Sequence, residues 1–374
     1  MKKNHYLMRL PILLGTGAVL ISLAGYNHDA YADTHCTPSQ KYPAYTTTVP
    51  INTSITVGAD TPNGTVIYRS NIIPDKYSGI TCDQPISGVP VMLDVTNPKT
   101  ALTPWNTPPF GGSVYATSVP GIGVVGWRKQ QGTPVQTDTL SNTEPGDTLL
   151  STGFALSFIK IGDIAPGEVQ LSLVPNMTLD IPSLPGYSGF PINLGKVSFT
   201  GTLHVVSQTC QTPDVNVDLG QREIRQYFKG IGSATPWVDS SITLQDCPRF
   251  YGTYDDNHYQ ESWDGEAPTG SPGENLLTVK ITPNSDIIDA TNGIMALASS
   301  DNDRSALGVG IQIGWGEAGN SPVPFNFMLP QQFDLPNSGV SSFRIPLAAR
   351  YIQTEQAIAP GRGDAKATFL ISYY

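Results

Sequence analysis

The stretch Gly361 to Tyr374, which reads G-R-G-D-A-K-A-T-F-L-I-S-Y-Y, decides the fold class of this chain. From residue 365 onward, an apolar side chain occupies every second position: Ala365, Ala367, Phe369, Ile371 and Tyr373. A period of two over this length is typical of a β-strand with one buried face. Chain termini normally fray unless they are tied down, and an unpaired apolar strand is a template for another chain. The stretch therefore predicts a C-terminal strand that must pair.

Short alternating runs recur along the rest of the chain, separated by turn residues from a pool of 37 Gly and 32 Pro. Such a pattern predicts an all-β protein. The strand candidates in the first half are 54–57, 65–68, 89–95, 114–117, 123–127, 155–161, 169–174 and 196–200. Tight turns are predicted at Pro62-Asn63-Gly64 and Pro120-Gly121. Because 374 residues exceed a single sandwich, the chain is expected to form two domains.

The first 32 residues are typical of a secretory signal peptide. Lys2, Lys3 and Arg9 form a basic start, an apolar run follows to about Leu23, and Ala30-Tyr31-Ala32 provides a small–x–small cleavage site. We expect the mature chain to begin at Asp33. The apolar run is short for a membrane span.

The mature chain is acidic. Removing three positive charges and one negative charge with residues 1–32 takes the net charge from −10 to −12. Nucleic acid is excluded as a partner, because phosphate binding requires clustered Lys and Arg.

Four cysteines, Cys36, Cys82, Cys210 and Cys247, are expected to form disulfides in a secreted chain. Three pairings are possible. The wide gap between Cys82 and Cys210 favours Cys36–Cys82 and Cys210–Cys247, one for each domain.

The chain contains few residues that could support catalysis. After residue 32 the only histidines are His35, His204 and His258, and no G-x-S-x-G motif occurs. Asp255, Asp256, Glu261 and Asp264 could form a glycosidase pair, but acids on a Tyr- and Gly-rich loop are usually solvated. We expect neither an enzyme nor a cofactor. A histidine-bound metal is disfavoured, whereas calcium held by Asp and Asn oxygens stays possible.

Four phrases stand out in residues 202–374: T-L-H-V-V-S-Q-T-C at 202–210, I-T-L-Q-D-C at 242–247, G-V-G-I-Q-I at 308–313 and L-A-A-R-Y at 347–351. Through these phrases, residues 202–374 resemble the pilin domain of the chaperone–usher fimbrial family. Gly361, fourteenth from the end, and penultimate Tyr373 match the family's C-terminal motif. The resemblance implies an incomplete immunoglobulin-like sandwich.

Residues 33–201 contain the phrases G-T-V-I-Y at 64–68, T-S-V-P-G-I-G at 117–123 and F-I-K-I-G at 158–162. Through these phrases, residues 33–201 are similar to the receptor-binding, lectin-like domains of fimbrial tip adhesins. Carbohydrate recognition needs an aromatic face and a few fixed polar groups. The ligand-binding candidates are Trp105, Asn106, Tyr115, Trp127 and Arg128, with Lys129 nearby. Trp105 lies in a Pro/Gly loop and is the better surface candidate, whereas Trp127 closes an alternating strand and could belong to the core.

Residues 248–273 depart from the pilin pattern. Where a short turn is expected, the chain carries a segment that contains Phe250, Tyr251, Tyr254, Tyr259 and Trp263. It is either a mobile surface loop or a flap that packs on the first domain. The tripeptide Arg362-Gly363-Asp364 has the sequence of an integrin ligand, but we expect it to be covered when the C-terminal strand pairs.

The resemblance implies how the chain assembles. A periplasmic chaperone, and then the next fimbrial subunit, would each supply a strand beside Ala365, Ala367, Phe369, Ile371 and Tyr373. An outer-membrane usher would export the chain. Because residues 33–201 occupy the place of the donor arm of an ordinary pilin, the chain is expected to receive a strand without donating one. It would then end the fibre at its distal tip and attach the bacterium to a host carbohydrate or glycoprotein receptor. The alternative is a minor structural subunit that initiates or caps the fibre without binding a glycan.

Overall fold

The computed structural model describes residues 33–298, 305–337 and 339–374. The expected signal peptide, residues 1–32, lies outside them. Within these ranges no helix has both the length and the apolar character needed to cross a membrane.

The described residues are almost entirely strands and connecting turns, which confirms the all-β prediction. The helical elements among them are a four-residue α-helix, Ile224–Tyr227, and a 3-10 helix, Leu171–Leu173. The strands before residue 207 are β1 Thr34–Pro38, β2 Tyr45–Thr56, β3 Val66–Ile73, β4 Ser78–Cys82, β5 Ile86–Thr96, β6 Tyr115–Ala116, β7 Ile122–Arg128, β8 Gln131–Gly132, β9 Val135–Asn142, β10 Gly146–Leu150, β11 Phe154–Lys160, β12 Gly167–Gln170, β13 Asn176–Ile181, β14 Tyr187–Ser188 and β15 Ile192–Val206. The later strands are β16 Val238–Asp239, β17 Ile242–Leu244, β18 Gln260–Trp263, β19 Asn275–Pro283, β20 Ile287–Asp289, β21 Ile294–Ala296, β22 Val309–Trp315, β23 Val323–Pro324, β24 Gln331–Leu335, β25 Phe343–Ile345, β26 Leu347–Gln353 and β27 Ala367–Tyr373.

The first half packs its sheets around one core. One sheet has the order β12-β15-β13-β5-β9, with β2 also paired to β15, and a second has the order β18-β3-β11-β7-β6, with β8 paired to β7. A third sheet, β10-β4-β1-β14, lies beside them. Side chains from all of these sheets join a single buried cluster that includes Ile51, Leu93, Phe158 and Leu179. Of the strands here, β18 belongs to the later part of the sequence.

Strand β7 shows why the second sheet is buried on both faces. Val124 joins the main core, whereas its neighbours Val125 and Trp127 join a smaller cluster on the opposite face, as a period of two requires. Leu156 and Ile159 of β11 divide between the two faces in the same way. The smaller cluster lies under residues 105–110 and forms a platform outside the main core.

The second half has a separate buried cluster. Sheet β16-β26-β22-β21-β20, sheet β24-β19-β27 and the pair β17-β25 contribute to it. Its central residues include Leu244, Val279, Phe325 and Ile345. The boundary proposed at residues 201 and 202 falls inside β15, which runs on to Val206 and remains in the first core through Leu203 and Val205.

Both disulfides that the cysteine spacing favours are present. Cys36 and Cys82 are directly opposite on β1 and β4, with Cα atoms 4.2 Å apart. Cys210 and Cys247 are joined beside the Gln211–Gln245 bridge, with Cα atoms 4.1 Å apart. Each disulfide connects residues within one of the two large clusters.

Two predicted elements differ in detail from the structure. The run 169–174 becomes the end of β12 followed by the 3-10 helix, because the alternation continues only to buried Leu171 and breaks at Ser172 and Leu173, which are both exposed. The C-terminal strand begins at Ala367, two residues after the alternating pattern starts. Ala365 still packs against the second core from outside the strand.

The segment 248–273 connects the two cores. Phe250 is buried in the second cluster and stacks on Tyr373, with ring centroids 6.4 Å apart. Four residues later, Tyr254 is buried in the first cluster against Tyr68, with ring centroids 5.6 Å apart. A short piece of chain therefore anchors one aromatic ring in each core.

We expect Tyr254→Ala to destabilise the first core, although Tyr254 comes from the second half of the sequence. Its side chain is 6% exposed, and removing a buried aromatic ring typically costs about 3–5 kcal/mol. Calorimetry of the chain should show a lower unfolding midpoint. The control Tyr77→Ala removes a ring that is 54% exposed and should leave the midpoint unchanged. Equal midpoints for the two variants would contradict the anchoring role of Tyr254.

Candidate functional site

A cavity of about 1040 Å³ lies over the smaller cluster, on the outer face of the sheet that contains β3 and β7. Its walls come from the start of β3, from the loop 106–111 and from residues 255–257. The lining residues are Gly64, Thr65, Val66, Arg69, Asn106, Thr107, Pro108, Pro109, Phe110, Gly111, Trp127, Gln130, Asp255, Asp256 and Asn257. Both halves of the sequence thus contribute to one concave surface.

The floor of the cavity is built around Trp127. Its side chain is only 9% exposed, and its indole Nε1 donates a hydrogen bond to Ser157 Oγ at 2.9 Å. The Phe110 ring packs against it, with centroids 5.2 Å apart. The Arg69 guanidinium carbon lies 4.8 Å from the centre of the Trp127 ring. Because other side chains cover Trp127, the residue supports the site and presents little open aromatic face.

Arg69 joins the floor to the wall formed by residues 255–257. Its guanidinium carbon also lies 4.9 Å from the centre of the Tyr259 ring, so the planar group contacts two aromatic side chains. Its Nε donates to Asn71 Oδ1 at 3.2 Å, and its Nη1 pairs with Asp256 Oδ1 at 3.0 Å. Most of the contacts of the Arg69 guanidinium are therefore made within the protein.

The loop 105–112 folds back on itself. Trp105 Nε1 donates to the Pro109 carbonyl at 2.9 Å, and the Gly112 amide donates to the Trp105 carbonyl at 2.8 Å. Gly111 is required by close approach, because a Cβ at this position would lie 2.6 Å from the Asn106 carbonyl oxygen. These contacts hold Asn106 and Phe110 on the cavity side of the loop.

The opposite wall is fixed by strand β18. This strand pairs in parallel with β3, in a register that runs from Gln260 opposite Ser70 to Trp263 opposite Ile73. Gln260 is buried, and its Oε1 accepts a hydrogen bond from the Tyr68 hydroxyl at 2.8 Å. Burial also raises the pKa of Tyr68, so the hydroxyl stays a donor.

A tight turn before β18 presents the carboxylates of this wall. Asp255 Oδ1 accepts hydrogen bonds from the Asn257 and His258 amides, both at 2.8 Å, and contacts His258 Nδ1 at 3.1 Å. The Oδ2 atoms of Asp255 and Asp256 receive no hydrogen bond from the described residues. The wall therefore offers free acceptors to the cavity.

Of the five ligand-binding residues predicted from the sequence, two line the cavity and three do not. Asn106 and Trp127 line the cavity, whereas Trp105, Tyr115 and Arg128 do not. Trp105 is half-buried against the smaller cluster, Tyr115 packs against the main core, and Arg128 Nη1 donates to the Gly153 carbonyl. Trp127 fits both alternatives, because it is buried and is also part of the cavity floor.

The segment 248–273 packs on the first half as a flap, through β18, Tyr254 and the Arg69–Asp256 ion pair. The hypothesis of a mobile surface loop is therefore wrong for this structure. The composition of the segment is unusual, but no sequence pattern predicts that Arg69, Gln130 or Asn257 lies at a site. The aromatic and acidic composition of residues 248–273 is the only sequence feature that indicates a functional role for the wall formed by residues 255–257.

The acidic candidates do not form a metal centre. Among the described residues, no group of three or more His, Cys, Asp or Glu side chains is arranged to hold a metal ion. Asp255 and Asp256 line the cavity, whereas Asp264 pairs with Lys76 at 3.2 Å and Glu261 lies within β18.

The C-terminal strand β27 lies at the edge of its sheet. Within the described residues its only strand partner is β19, with Ile371 opposite Val279 and Phe369 opposite Ile281. The Tyr374 N–H donates to the Leu276 carbonyl at 2.8 Å, and the Leu276 N–H donates to the Tyr374 carbonyl at 3.3 Å. Because backbone groups alternate in direction along an antiparallel strand, the N–H and C=O groups of the even-numbered residues of β27 point toward β19. The backbone groups of Phe369 and Ile371 therefore point toward the open edge.

The same alternation divides the side chains of β27. Ala367, Phe369 and Ile371 pack partly buried against the second core, and Tyr373 is buried within it. Leu370 is 61% exposed. At the end of the open edge, Asp60 Oδ2 accepts from the Tyr373 amide at 2.9 Å, and the Asp60 amide donates to the Tyr373 carbonyl at 3.1 Å.

The tripeptide Arg362-Gly363-Asp364 lies before β27 and is not covered by it. The Arg362 and Asp364 side chains pair with each other and are more than half exposed. That the tripeptide becomes covered when β27 pairs with an added strand stays a prediction. The Gly363 carbonyl accepts a hydrogen bond from the Tyr351 hydroxyl at 3.0 Å. The segment is also joined to residue 306, whose amide donates to the Arg362 carbonyl at 2.9 Å.

Adjacent residues of the loop 105–112 should respond differently to truncation. Trp105→Ala removes a half-buried ring and its Nε1 hydrogen bond, and we expect a loss of about 2 kcal/mol, below the cost for a fully buried Trp. Asn106→Ala removes an exposed side chain that makes no hydrogen bond with the described residues, so stability should be unchanged. Chemical denaturation of both variants measures the difference. An unchanged midpoint for Trp105→Ala would show that its ring does not support the loop.

The sequence of this chain matches one protein family and individual proteins related to it. The fimbrial protein family model matches residues 197–374. The chain is 30% identical over 189 residues to a fimbrial subunit type 1 of Salmonella typhimurium, covering 48% of this chain and 82% of that protein. It is 27% identical over 187 residues to the uncharacterised fimbrial-like protein YraH of Escherichia coli strain K12, covering 48% of this chain and 87% of that protein.

Among solved structures, the CupB6 tip adhesin of Pseudomonas aeruginosa aligns with 84% of this chain and 89% of its own length, at 15% identity and a TM-score of 0.33. A similarity at this level carries no argument about function. Fimbrial proteins are structural, which agrees with the expectation that the chain is not an enzyme. The similarity to the Salmonella subunit over most of its length, together with the family match, shows that the chain belongs to the fimbrial protein family, whose members are components of cell-surface fimbriae.

Proposed function

We propose that this chain is a fimbrial tip adhesin with two domains, residues 33–201 and 202–374, and that the first carries a receptor-binding site for a host carbohydrate or glycoprotein. The observation that carries the proposal is the cavity of about 1040 Å³ over β3 and β7, of whose fifteen lining residues twelve lie outside the fimbrial family match. Ligand sites are commonly concave, with a few fixed polar groups on an apolar floor. The cavity combines the Trp127 and Phe110 rings with the Asn106 and Gln130 amides.

The second domain would connect the adhesin to the fibre through β27. Phe369 and Ile371 combine side chains that face the second core with backbone groups that face the open edge. An added strand would pair with these backbone groups and cover these side chains at the same time. A periplasmic chaperone would supply this strand first, and the next fimbrial subunit would replace it after passage through the outer-membrane usher. The position of residues 33–201, where an ordinary pilin has its donor arm, supports placement at the fibre tip.

Charge placed on β27 should test the assembly role. Phe369→Asp or Ile371→Asp would bury an unpaired carboxylate under the added strand, which is strongly unfavourable. We expect at least tenfold less chaperone to co-purify with either variant from the periplasm. Leu370→Asp is the matched control, because its side chain points to solvent. Equal chaperone capture by all three variants would exclude the proposed pairing.

Receptor binding is tested with the full chain in complex with its chaperone. A printed array of neutral, amino-bearing, sialylated and sulfated oligosaccharides should show saturable binding to a subset of glycans. Gln130→Ala, in the cavity lining, should reduce that binding, whereas Gln332→Ala, on the exposed face of β24, should not. A chain that binds no glycan on the array, but still assembles, would favour a non-adhesive subunit that caps the fibre.

A further inference from the structure

The cavity has a wall that comes from outside the first domain. Asp255, Asp256 and Asn257 belong to the segment 248–273, and they reach the cavity because β18 pairs with β3. Two aromatic anchors and one ion pair fix this arrangement: Phe250 in the second core, Tyr254 in the first, and Asp256 with Arg69. Residues 33–201 alone therefore supply only part of the lining.

The charges of this composite surface are unbalanced. Its charged lining residues are one cation, Arg69, and two carboxylates, Asp255 and Asp256. Arg69 is mostly buried, at 19% side-chain exposure, and is held by two rings, Asn71 and Asp256. Asp256 is 67% exposed and Asp255 is 39% exposed. The charge that faces an incoming ligand is therefore negative.

The uncharged polar groups of the lining are also free to bind. The Asn106, Gln130 and Asn257 side chains make no hydrogen bond with the described residues, and neither do Asp255 Oδ2 and Asp256 Oδ2. Free carboxylate oxygens accept hydrogen bonds and do not donate them. A ligand rich in hydroxyl or ammonium donors satisfies such a surface, whereas a carboxylate or sulfate is repelled by it.

We propose that the site is composite and selects a non-anionic saccharide, with Asp255 and Asp256 of the second domain as the specificity-determining residues. The inference rests on the proposed receptor-binding function and identifies its ligand class. Hydroxyl groups of the saccharide donate to the two carboxylates, the three free amides bind its remaining polar groups, and Phe110 lies beside its C–H surface. Neutral and amine-bearing sugars share this chemistry, and separate positions on the array distinguish them.

The test compares full-length variants on the same glycan array, each in complex with its chaperone. Asp255→Asn/Asp256→Asn removes the charge of the wall, while an amide Oδ1 at each position can still accept the hydrogen bonds from Arg69 and from the Asn257 and His258 amides. We expect the ratio of sialylated and sulfated binding to neutral binding to rise at least tenfold. Asp255→Ala/Asp256→Ala/Asn257→Ala removes the wall, and neutral binding should fall at least tenfold. The control Asp334→Asn changes an exposed carboxylate on β24, away from the cavity, and should leave both signals unchanged.

Each other outcome has a distinct meaning. If the unmodified chain prefers sialylated or sulfated glycans, or if the variants bind like the unmodified chain, the composite site is wrong while the adhesin proposal stands. If the unmodified chain binds no glycan, the receptor function itself fails. Thermal unfolding of each variant reports folding, and if the triple variant unfolds early, the binding ratio of the Asp→Asn variant decides.

Discussion

The parallel pairing of β18 with β3 is the interaction on which the arrangement of this molecule depends. It adds a strand from the second half of the sequence to the edge of a sheet in the first half. An unpaired edge strand invites association with other chains, and β18 covers that edge from within the same chain. The pairing also sets the position of the turn at residues 255–257, and therefore the shape and charge of the cavity. Without β18, Arg69 would lose both Tyr259 and Asp256 as partners.

The sequence was most informative where side chains alternate. Strand β7 reads Ile-Gly-Val-Val-Gly-Trp-Arg, and its period of two predicted a strand that is buried on at least one face. The second face of β7 is buried because the loop 105–112 covers Val125 and Trp127 from outside. A loop of Pro and Gly has no periodicity from which its folded position could be predicted. For this reason Trp105 was expected at the surface, whereas its hydrogen bond to Pro109 draws it against the cluster.

The site was less predictable than the fold, because its residues are distant in sequence. Arg69 and Asp256 are separated by 187 positions and meet only through the β18–β3 register. Nothing local to Arg69 distinguishes it from a solvated cation on a strand. The composition of residues 248–273 did indicate an unusual segment, and the two hypotheses for it differed in whether its aromatic residues would be buried. Tyr254 and Phe250 are buried in different cores, a distribution that composition cannot specify.

The cavity and the open edge of β27 are connected by a short series of hydrogen bonds and one close backbone approach. Asp60 holds both backbone groups of Tyr373, and Gly58 lies so close that a Cβ there would be 2.1 Å from the Tyr373 carbonyl oxygen. The buried Lys160 ammonium donates to the Ala59 carbonyl at 3.0 Å, and the Lys160 carbonyl accepts from the Gly64 amide at 2.7 Å, at the cavity wall. In the proposed fibre, the strand added beside Phe369 and Ile371 must end where Asp60 already occupies the edge. The first domain would therefore limit the register of its own attachment, since a strand that extended further would have to displace both hydrogen bonds of Asp60.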